Sequence, residues 1–195
     1  MTLPTQLSLL RIVLTFVIMG LLFHAAPRSA IAAAALFVIA SFTDWLDGFL
    51  ARHWNLKSDL GALLDPIADK VLVLGTFLAF VQLGLVPAWM VLVIALREFL
   101  ITGVRLVAAS RHVVLAAEPE GKHKTVSQMA ALLIIFAVLI ADQQGTWTPE
   151  SPTGLWLSRA VTASLWIAVS LTLYSGAKFF WQHRAVLRDV VQHTL

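Results

Sequence analysis

The sequence predicts an all-α integral membrane protein with six transmembrane helices and both termini in the cytoplasm. Of its 195 residues, 59% are hydrophobic and only 13% are charged, and the mean hydropathy is +0.84. This composition excludes an ordinary soluble domain. Six apolar runs alternate with short polar segments, and no internal repeat or low-complexity tract interrupts them. We therefore expect residues 1–195 to form a single membrane domain.

The first three spans are joined by short polar breaks. The first, at about 9–26, follows an interfacial segment whose hydroxyl residues can cap a helix. A break at 27–29 leads to the second, at about 30–47, and a connector at 52–59 leads to the third, at about 60–83. Because a short connector makes neighbouring helices antiparallel, the end of the second span and the start of the third meet at one membrane face.

The last three spans have longer connections. The fourth, at about 87–108, carries three charged residues and is followed by a polar connector that extends to Lys124. The fifth lies at about 126–141 and the sixth at about 155–181, with a polar loop containing Gly and Pro between them. Six spans place both termini on the same side of the membrane.

The distribution of basic residues predicts which side that is. Nine of them lie at one set of span ends: Arg11, Arg52, Lys57, Arg111, Lys122, Lys124, Lys178, Arg184 and Arg188. Arg28 and Arg159 lie at the other ends. The positive-inside rule assigns the first set to the cytoplasm. The net charge of +3 does not indicate a nucleic-acid partner, because the basic residues form no continuous patch.

Four carboxylates lie where the second and third spans meet. Asp44 and Asp47 are three residues apart, and Asp65 and Asp69 are four apart, so each pair shares one helix face. Carboxylates in an apolar chain need compensating cations. Oxygen ligands without a Cys or His cluster favour Mg²⁺ or Mn²⁺, and four of them could hold two ions about 3.5 to 4 Å apart. The alternative is four ordinary helix-end charges.

Small and basic residues accompany these carboxylates. Gly48 and Ala51 would let a ring or a phosphate approach the backbone closely, although Gly is also common where membrane helices pack. Arg52 could bind a diphosphate through a bidentate contact of its planar guanidinium group. Alternatively, it only anchors the helix end in the cytoplasm.

These residues complete the pattern D-x2-D-G-x2-A-R-x8-G-x3-D-x3-D, which resembles the signature of the CDP-alcohol phosphotransferases. The eight positions are Asp44, Asp47, Gly48, Ala51, Arg52, Gly61, Asp65 and Asp69. The resemblance implies a six-span, homodimeric membrane enzyme that moves a phosphatidyl or related group from a CDP-linked donor to an alcohol and releases CMP. It also implies that the four Asp residues bind two metal ions, that Asp69 is the general base, and that the other four positions line the CDP site.

Flanking segments resemble a narrower group, the bacterial phosphatidylglycerophosphate synthases. The matching stretches are 3–8 with Arg11, 95–99, 103–105 and 121–125. Thr5 stands where that group usually has Asn. The likeness implies CDP-diacylglycerol as donor, glycerol 3-phosphate as acceptor, and a bacterial inner membrane with the active site facing the cytoplasm. It adds Ser8 and Arg11 to the donor site.

An anionic acceptor needs cations of its own. The candidates are Arg97, Arg105, Lys122 and Lys124. Arg105 follows Arg97 by eight residues, which places both close to one helix face. Alternatively, Glu98 neutralises one of the two arginines in a buried pair, and both lysines belong to a solvated loop.

Three other functions compete with this hypothesis. A related transferase could use inositol phosphate, serine or phosphatidylglycerol as its acceptor. A divalent-cation transporter would use the carboxylates as a transport site, but they lie near one membrane face rather than at the midplane. A non-catalytic scaffold would not depend on Asp69.

Overall fold

The computed structural model describes residues 3–24, 26, 28–54, 59–110, 120–145 and 151–184, and among these the side chains of all but 3–5, 44–54, 59–66, 110 and 120–122. Every regular element in these ranges is an α-helix, which confirms the all-α prediction. In chain order the helices are α1 (Leu3–Phe23), α2 (Ser29–Trp54), α3 (Asp59–Gln82), α4 (Ala88–Ser110), α5 (Glu120–Gln143) and α6 (Pro152–Gln182).

Two helices, α1 and α5, begin six residues earlier than the apolar pattern predicts. The interfacial segment before the first predicted span is already helical, because α1 begins at Leu3. The start of α5 at Glu120 makes residues 120–124 helical, so the prediction of a connector extending to Lys124 is wrong. Apolar periodicity cannot detect a polar helical turn that extends beyond the hydrophobic run.

Several helices have the length and composition of membrane spans. Among the described residues, three stretches are long and apolar enough to cross a bilayer: Gln6–Phe23, His123–Gln143 and Pro152–Gln182. Ser29–Thr43 is apolar but shorter. Large apolar side chains also cover the outer surface; Trp156, for example, is 70% exposed. Such helices with an apolar exterior indicate a membrane protein.

Aromatic side chains join the central helices. The ring of Phe136 on α5 lies 5.5 Å from that of Phe37 on α2 and 4.9 Å from that of Phe80 on α3, measured between centroids. The Phe80 and Phe136 rings meet edge to face, a favourable geometry for aromatic pairs. All three side chains are buried, so α2, α3 and α5 share one core.

A close approach between α1 and α3 fixes their relative position along the axis of the helix bundle. A Cβ atom on Gly75 would lie 2.6 Å from Cγ2 of Thr15, so this contact requires glycine. Two short connections make α1 and α3 run in the same direction. Arg11, about 6 Å before Thr15 along α1, therefore lies near the level of Val71, two residues after Asp69 and about midway along α3.

A side-chain amide ties α5 to α2 at the other end of the bundle. Oε1 of Gln143 accepts a hydrogen bond from the backbone N–H of Ala30 at 3.2 Å, and Nε2 donates to Oγ of Ser29 at 3.3 Å. The end of α5 thus meets the start of α2. Since α3 runs opposite to α2, the starts of α3 and α5 lie together at the opposite end, where the candidate site is found.

Candidate active site

Asp69 lines a small cavity between three helices. The carboxylate is half-buried on α3, and the cavity has a volume of about 20 Å³. Side chains from α4 and α5 complete its polar wall: Glu98, Lys124, Thr125 and Gln128. A cavity of this size has room for about one water molecule. The structure therefore brings the predicted base, Asp69, next to one of the predicted acceptor-binding lysines.

Glu98 holds two of the predicted acceptor-binding cations. Its Oε1 atom lies 3.2 Å from Nη1 of Arg97 and also contacts Nζ of Lys124. The neutralising role considered for Glu98 is confirmed for Arg97, whereas Arg105 is elsewhere. Because buried charges need close partners, the shared carboxylate fixes both cations beside the Asp69 cavity.

Hydrogen bonds to α6 support this ion-pair cluster. Nη2 of Arg97 donates to Oγ of Ser175 at 3.0 Å, and Nε2 of Gln128 donates to Oγ1 of Thr172 at 3.0 Å. A Cβ atom on Gly176 would lie 3.1 Å from Cγ of Arg97, so the glycine makes room for the arginine. The cluster is thus held from α4, α5 and α6 together.

Arg105 occupies a different position from Arg97. Its side chain is exposed, and its Cζ atom lies 5.5 Å from the centre of the Phe179 ring in a cation–π contact. Both arginines contact α6, which confirms that they share one face of α4. The described contacts place Arg105 outside the ion-pair cluster of Lys124, Glu98 and Arg97. Arg105 could therefore contact a ligand only at the margin of the site.

The predicted acceptor-binding lysines fall within the first turns of α5. Lys124 is only 7% exposed, so its assignment to a solvated loop is wrong. Its burial follows from the helical start of α5, which directs its ammonium group toward Glu98. The side chain of Lys122 lies outside the described residues.

The predicted donor-binding residues of α1 face the interior of the bundle. Ser8 and Arg11 are both buried, and Arg11 is only 2% exposed. The carbonyl oxygen of Arg11 accepts a hydrogen bond from Oγ1 of Thr15 at 2.9 Å. An arginine buried in a membrane helix faces other protein groups or a polar cavity rather than lipid. Its position near the level of Val71 places Arg11 close to the level of Asp69.

Most of the signature lies where the structure describes only the backbone. Helix α2 runs unbroken through the first part of the signature and α3 through the second. The side chains that lie outside the described residues are those of Asp44, Asp47, Gly48, Ala51, Arg52, Gly61 and Asp65. Among the described side chains, no three His, Cys, Asp or Glu residues gather into a metal site.

Lys70 is a site residue that the sequence analysis did not select. It follows Asp69 on α3, and its Nζ atom donates a hydrogen bond of 2.6 Å to Oγ1 of Thr102 on α4. It also lines the Asp69 cavity. The available signal was a lysine inside a predicted membrane span, where any ionisable residue suggests function.

The described side chains around the cavity include cations that an anionic group could contact. Asp69 and Glu98 are acidic, while Lys70, Arg97 and Lys124 are basic. Charges in such a low-dielectric cleft act strongly on a substrate. The arrangement suits an acceptor that bears a phosphate and has a hydroxyl near Asp69.

Comparison with known proteins gives a consistent result. The chain matches the family model for CDP-alcohol phosphatidyltransferase over residues 1–174. It is 37% identical to the CDP-diacylglycerol–glycerol-3-phosphate 3-phosphatidyltransferase of Bacillus subtilis, over 95% of this chain and 97% of that protein. The protein of the same name from Escherichia coli K12 is 34% identical, over 95% of this chain and 97% of its own length. The one from Rickettsia bellii is also 34% identical, over 91% of this chain and 93% of its own length.

Proposed function

The chain belongs to the CDP-alcohol phosphatidyltransferase family, and from that membership we propose that it transfers a phosphatidyl group from CDP-diacylglycerol to glycerol 3-phosphate. The products are phosphatidylglycerophosphate and CMP. The observation that carries this proposal is the cavity in which Asp69 meets the Lys124–Glu98–Arg97 cluster. It combines a carboxylate able to accept a proton with cations able to hold a phosphate.

Asp69 acts as the general base in this proposal. Its carboxylate takes the proton from a hydroxyl of glycerol 3-phosphate as the hydroxyl oxygen attacks the phosphorus that bears the lipid. The bond from that phosphorus to the CMP oxygen breaks, and CMP leaves. The half-buried position of Asp69 supports this role, because a base inside a cavity keeps a fixed distance to a bound acceptor.

Lys124 and Arg97 bind the acceptor phosphate, with Arg105 and Lys122 as outer contributors. The cavity of about 20 Å³ is too small for a phosphate group while Glu98 pairs with both cations. We infer that the phosphate replaces Glu98 as the partner of Lys124 when the acceptor enters. An acceptor without a phosphate could not make this exchange, which gives the site selectivity against an acceptor such as serine.

The four Asp residues of the signature would hold two Mg²⁺ or Mn²⁺ ions. A donor set of carboxylate oxygens fits such hard cations, and spacings of three and four residues favour a shared face for each pair within a helix. When bound, the ions neutralise charge on the diphosphate of the donor. The residues that line the CDP moiety are Ser8, Arg11, Gly48, Ala51, Arg52 and Gly61. The buried position of Arg11, near the level of Asp69, supports its place in this set.

An acceptor panel tests the proposed reaction. The purified protein in detergent would receive CDP-diacylglycerol, Mg²⁺ or Mn²⁺, and one acceptor at a time: glycerol 3-phosphate, inositol phosphate, serine or phosphatidylglycerol. We expect release of CMP with glycerol 3-phosphate and little with the others. Release with a different acceptor alone would overturn the assignment of the acceptor. Failure to release CMP with any acceptor would contradict the transferase function.

We also propose that all six helices span a bacterial inner membrane as a homodimer, with both termini and the active site in the cytoplasm. The ends of α6 support its transmembrane placement. Arg159 lies 5.8 Å from the Trp156 ring centre, and Arg184 lies 4.8 Å from that of Trp181. The two tryptophans are about 37 Å apart along the helix, close to the thickness of a bilayer with its interfaces.

Cysteine labelling tests this orientation. The chain contains no cysteine, so single substitutions can be read without background. In spheroplasts, a membrane-impermeant maleimide should label Gln144→Cys, in the turn after α5, and should label Arg184→Cys only after the membrane is permeabilised. The unsubstituted chain is the control. The reverse pattern would invert the proposed topology.

A further inference from the structure

A buried glutamine forms part of the wall of the Asp69 cavity. Gln128 lies on α5, and its side chain lines this cavity together with those of Asp69 and Lys124. It is only 3% exposed. Burial of an amide inside a membrane helix is costly unless its polar atoms find partners, so a polar side chain at such a position suggests a functional role. Neither the proton transfer to Asp69 nor the phosphate contact of Lys124 uses this amide.

One hydrogen bond fixes the orientation of the amide. Nε2 of Gln128 donates to Oγ1 of Thr172 on α6 at 3.0 Å, and both side chains are buried. This bond holds the donor end of the amide against α6. Within the described part of the chain, no donor pairs with the other end, Oε1. The amide can therefore offer its carbonyl oxygen to a hydroxyl group inside the cavity.

The cavity matches a hydroxyl group in size. Its volume of about 20 Å³ has room for about one water molecule, and a hydroxyl group of a bound molecule can take the same place. An apolar group there would leave Oε1 of Gln128 without a donor, which is unfavourable in a buried site. The cavity is thus suited to a ligand that carries a hydroxyl at this position.

The spacing of Gln128 and Lys124 suits a short phosphorylated molecule. The two residues are four apart on one face of α5, which places Gln128 about 6 Å further along the helix axis. Asp69 lines the same cavity from α3. Glycerol 3-phosphate carries its phosphate on C3 and hydroxyl groups on C1 and C2. With the phosphate at Lys124 and the C1 hydroxyl at Asp69, the C2 hydroxyl lies between them, within reach of Gln128.

Resting on the proposed function, we propose that Gln128 is a specificity-determining residue that accepts a hydrogen bond from the C2 hydroxyl of glycerol 3-phosphate through Oε1. Thr172 is the positioning residue that holds the amide in this orientation. The bond directs the C1 hydroxyl, rather than the C2 hydroxyl, toward Asp69 for the attack. The site thereby distinguishes a phosphorylated diol from a phosphorylated alcohol with one hydroxyl, a choice that the cations of Lys124 and Arg97 cannot make.

The test compares two acceptors that differ by one hydroxyl group. Glycerol 3-phosphate and 3-hydroxypropyl phosphate carry the same phosphate and the same terminal hydroxyl, and CDP-diacylglycerol is the donor throughout. The unsubstituted protein should prefer glycerol 3-phosphate about tenfold in kcat/KM, the effect expected of one net hydrogen bond. Gln128→Met retains the length of the side chain but has no carbonyl oxygen. It should reduce the preference to less than about twofold by slowing the reaction with glycerol 3-phosphate.

Three further variants separate this role from a structural one. Gln143→Met is the matched control, because Gln143 lies at the other end of α5 and its amide also bonds to another helix, through Ser29. Its preference should stay about tenfold. Thr172→Val should lower the preference as Gln128→Met does, whereas Thr172→Ser retains the hydroxyl and should keep the preference. The thermal unfolding midpoint of each variant in detergent checks folding.

Two results would overturn the role of Gln128. One is equal use of both acceptors by the unsubstituted protein. The other is a preference that stays about tenfold in Gln128→Met, including the case in which both acceptors lose activity equally, because the amide would then be only structural. If Gln128→Met does not fold, the same ratio measured in Thr172→Val decides, and an unchanged preference there rejects the proposal. Absence of CMP release by the unsubstituted protein with glycerol 3-phosphate would instead contradict the proposed function.

Discussion

Asp69→Asn should lower kcat by at least about 10³-fold while the chain remains folded. An amide cannot accept the proton of the acceptor hydroxyl, and general-base catalysis alone contributes about 10² to 10⁴. The substitution also removes one of the four carboxylates proposed to hold the metal ions. The measurement is CMP release at saturating CDP-diacylglycerol and glycerol 3-phosphate, with the thermal unfolding midpoint in detergent as the check on folding.

Asp142→Asn is the matched control for this substitution. Asp142 is an exposed carboxylate near the end of α5, at the opposite end of the bundle from the cavity. The same chemical change there should leave kcat and the unfolding midpoint unchanged. A rate for Asp69→Asn close to that of the unsubstituted protein would remove Asp69 from the role of base.

Lys124→Met should raise the KM for glycerol 3-phosphate roughly 30- to 100-fold and change kcat much less. Methionine retains the length and apolar stem of lysine but cannot pair with a phosphate. Loss of one partner from a buried charge pair costs about 2 to 5 kcal/mol, and the lower part of that range corresponds to the expected change in KM. Initial rates over a range of glycerol 3-phosphate concentrations give both constants.

Two further variants separate binding from folding in this experiment. Arg159→Gln removes an exposed cation at the far end of α6, and its KM should equal that of the unsubstituted protein. The double variant Lys124→Met with Glu98→Gln removes the carboxylate that the single substitution leaves without its lysine partner. Because Glu98→Gln also leaves Arg97 without its carboxylate, the double variant should be less stable than Lys124→Met alone, while its KM stays equally high. A normal KM in Lys124→Met would show that the acceptor phosphate binds elsewhere.

The proposed exchange of partners at Lys124 would explain why a carboxylate belongs in a site for an anion. Without Glu98, the Lys124 and Arg97 cations would face each other in a low-dielectric interior. In the proposed mechanism, Glu98 keeps them in place until a phosphate with a higher charge arrives. The same residue would therefore stabilise the site without substrate and disfavour neutral acceptors.

The sequence alone was sufficient for the fold class and for the family. Apolar runs with polar breaks predict helices because a chain in lipid must satisfy its backbone hydrogen bonds within each segment, and the described residues are indeed helical. The spaced carboxylates of the signature, with Asp69 as its last member, indicate the transferase family. Their spacing can be read from one continuous stretch of sequence without any knowledge of tertiary contacts.

Sequence patterns were less informative where polar residues enter helices. The polar turn at the start of α5 was predicted as a connector, yet it is helical and Lys124 is buried. Lys70 was not predicted as a site residue, and its contacts with Thr102 and the Asp69 cavity depend on how α3 packs against other helices. In both cases the environment of a charged residue is set by neighbouring helices. The hydropathy of a single segment gives no information about which helices pack against it.

By itself, the sequence determined that this is a helical membrane protein with the family signature, because periodicity and spacing are properties of a single segment. Only the tertiary structure decided that Glu98 pairs with Arg97 and Lys124, that Arg105 stacks instead on Phe179, and that Lys70 bonds to Thr102 beside the Asp69 cavity. Each of these contacts joins residues whose pairing depends on how the helices are rotated and stacked. That arrangement is set by side-chain packing across the whole bundle, such as the Gly75–Thr15 contact, and is not encoded in any one stretch of sequence.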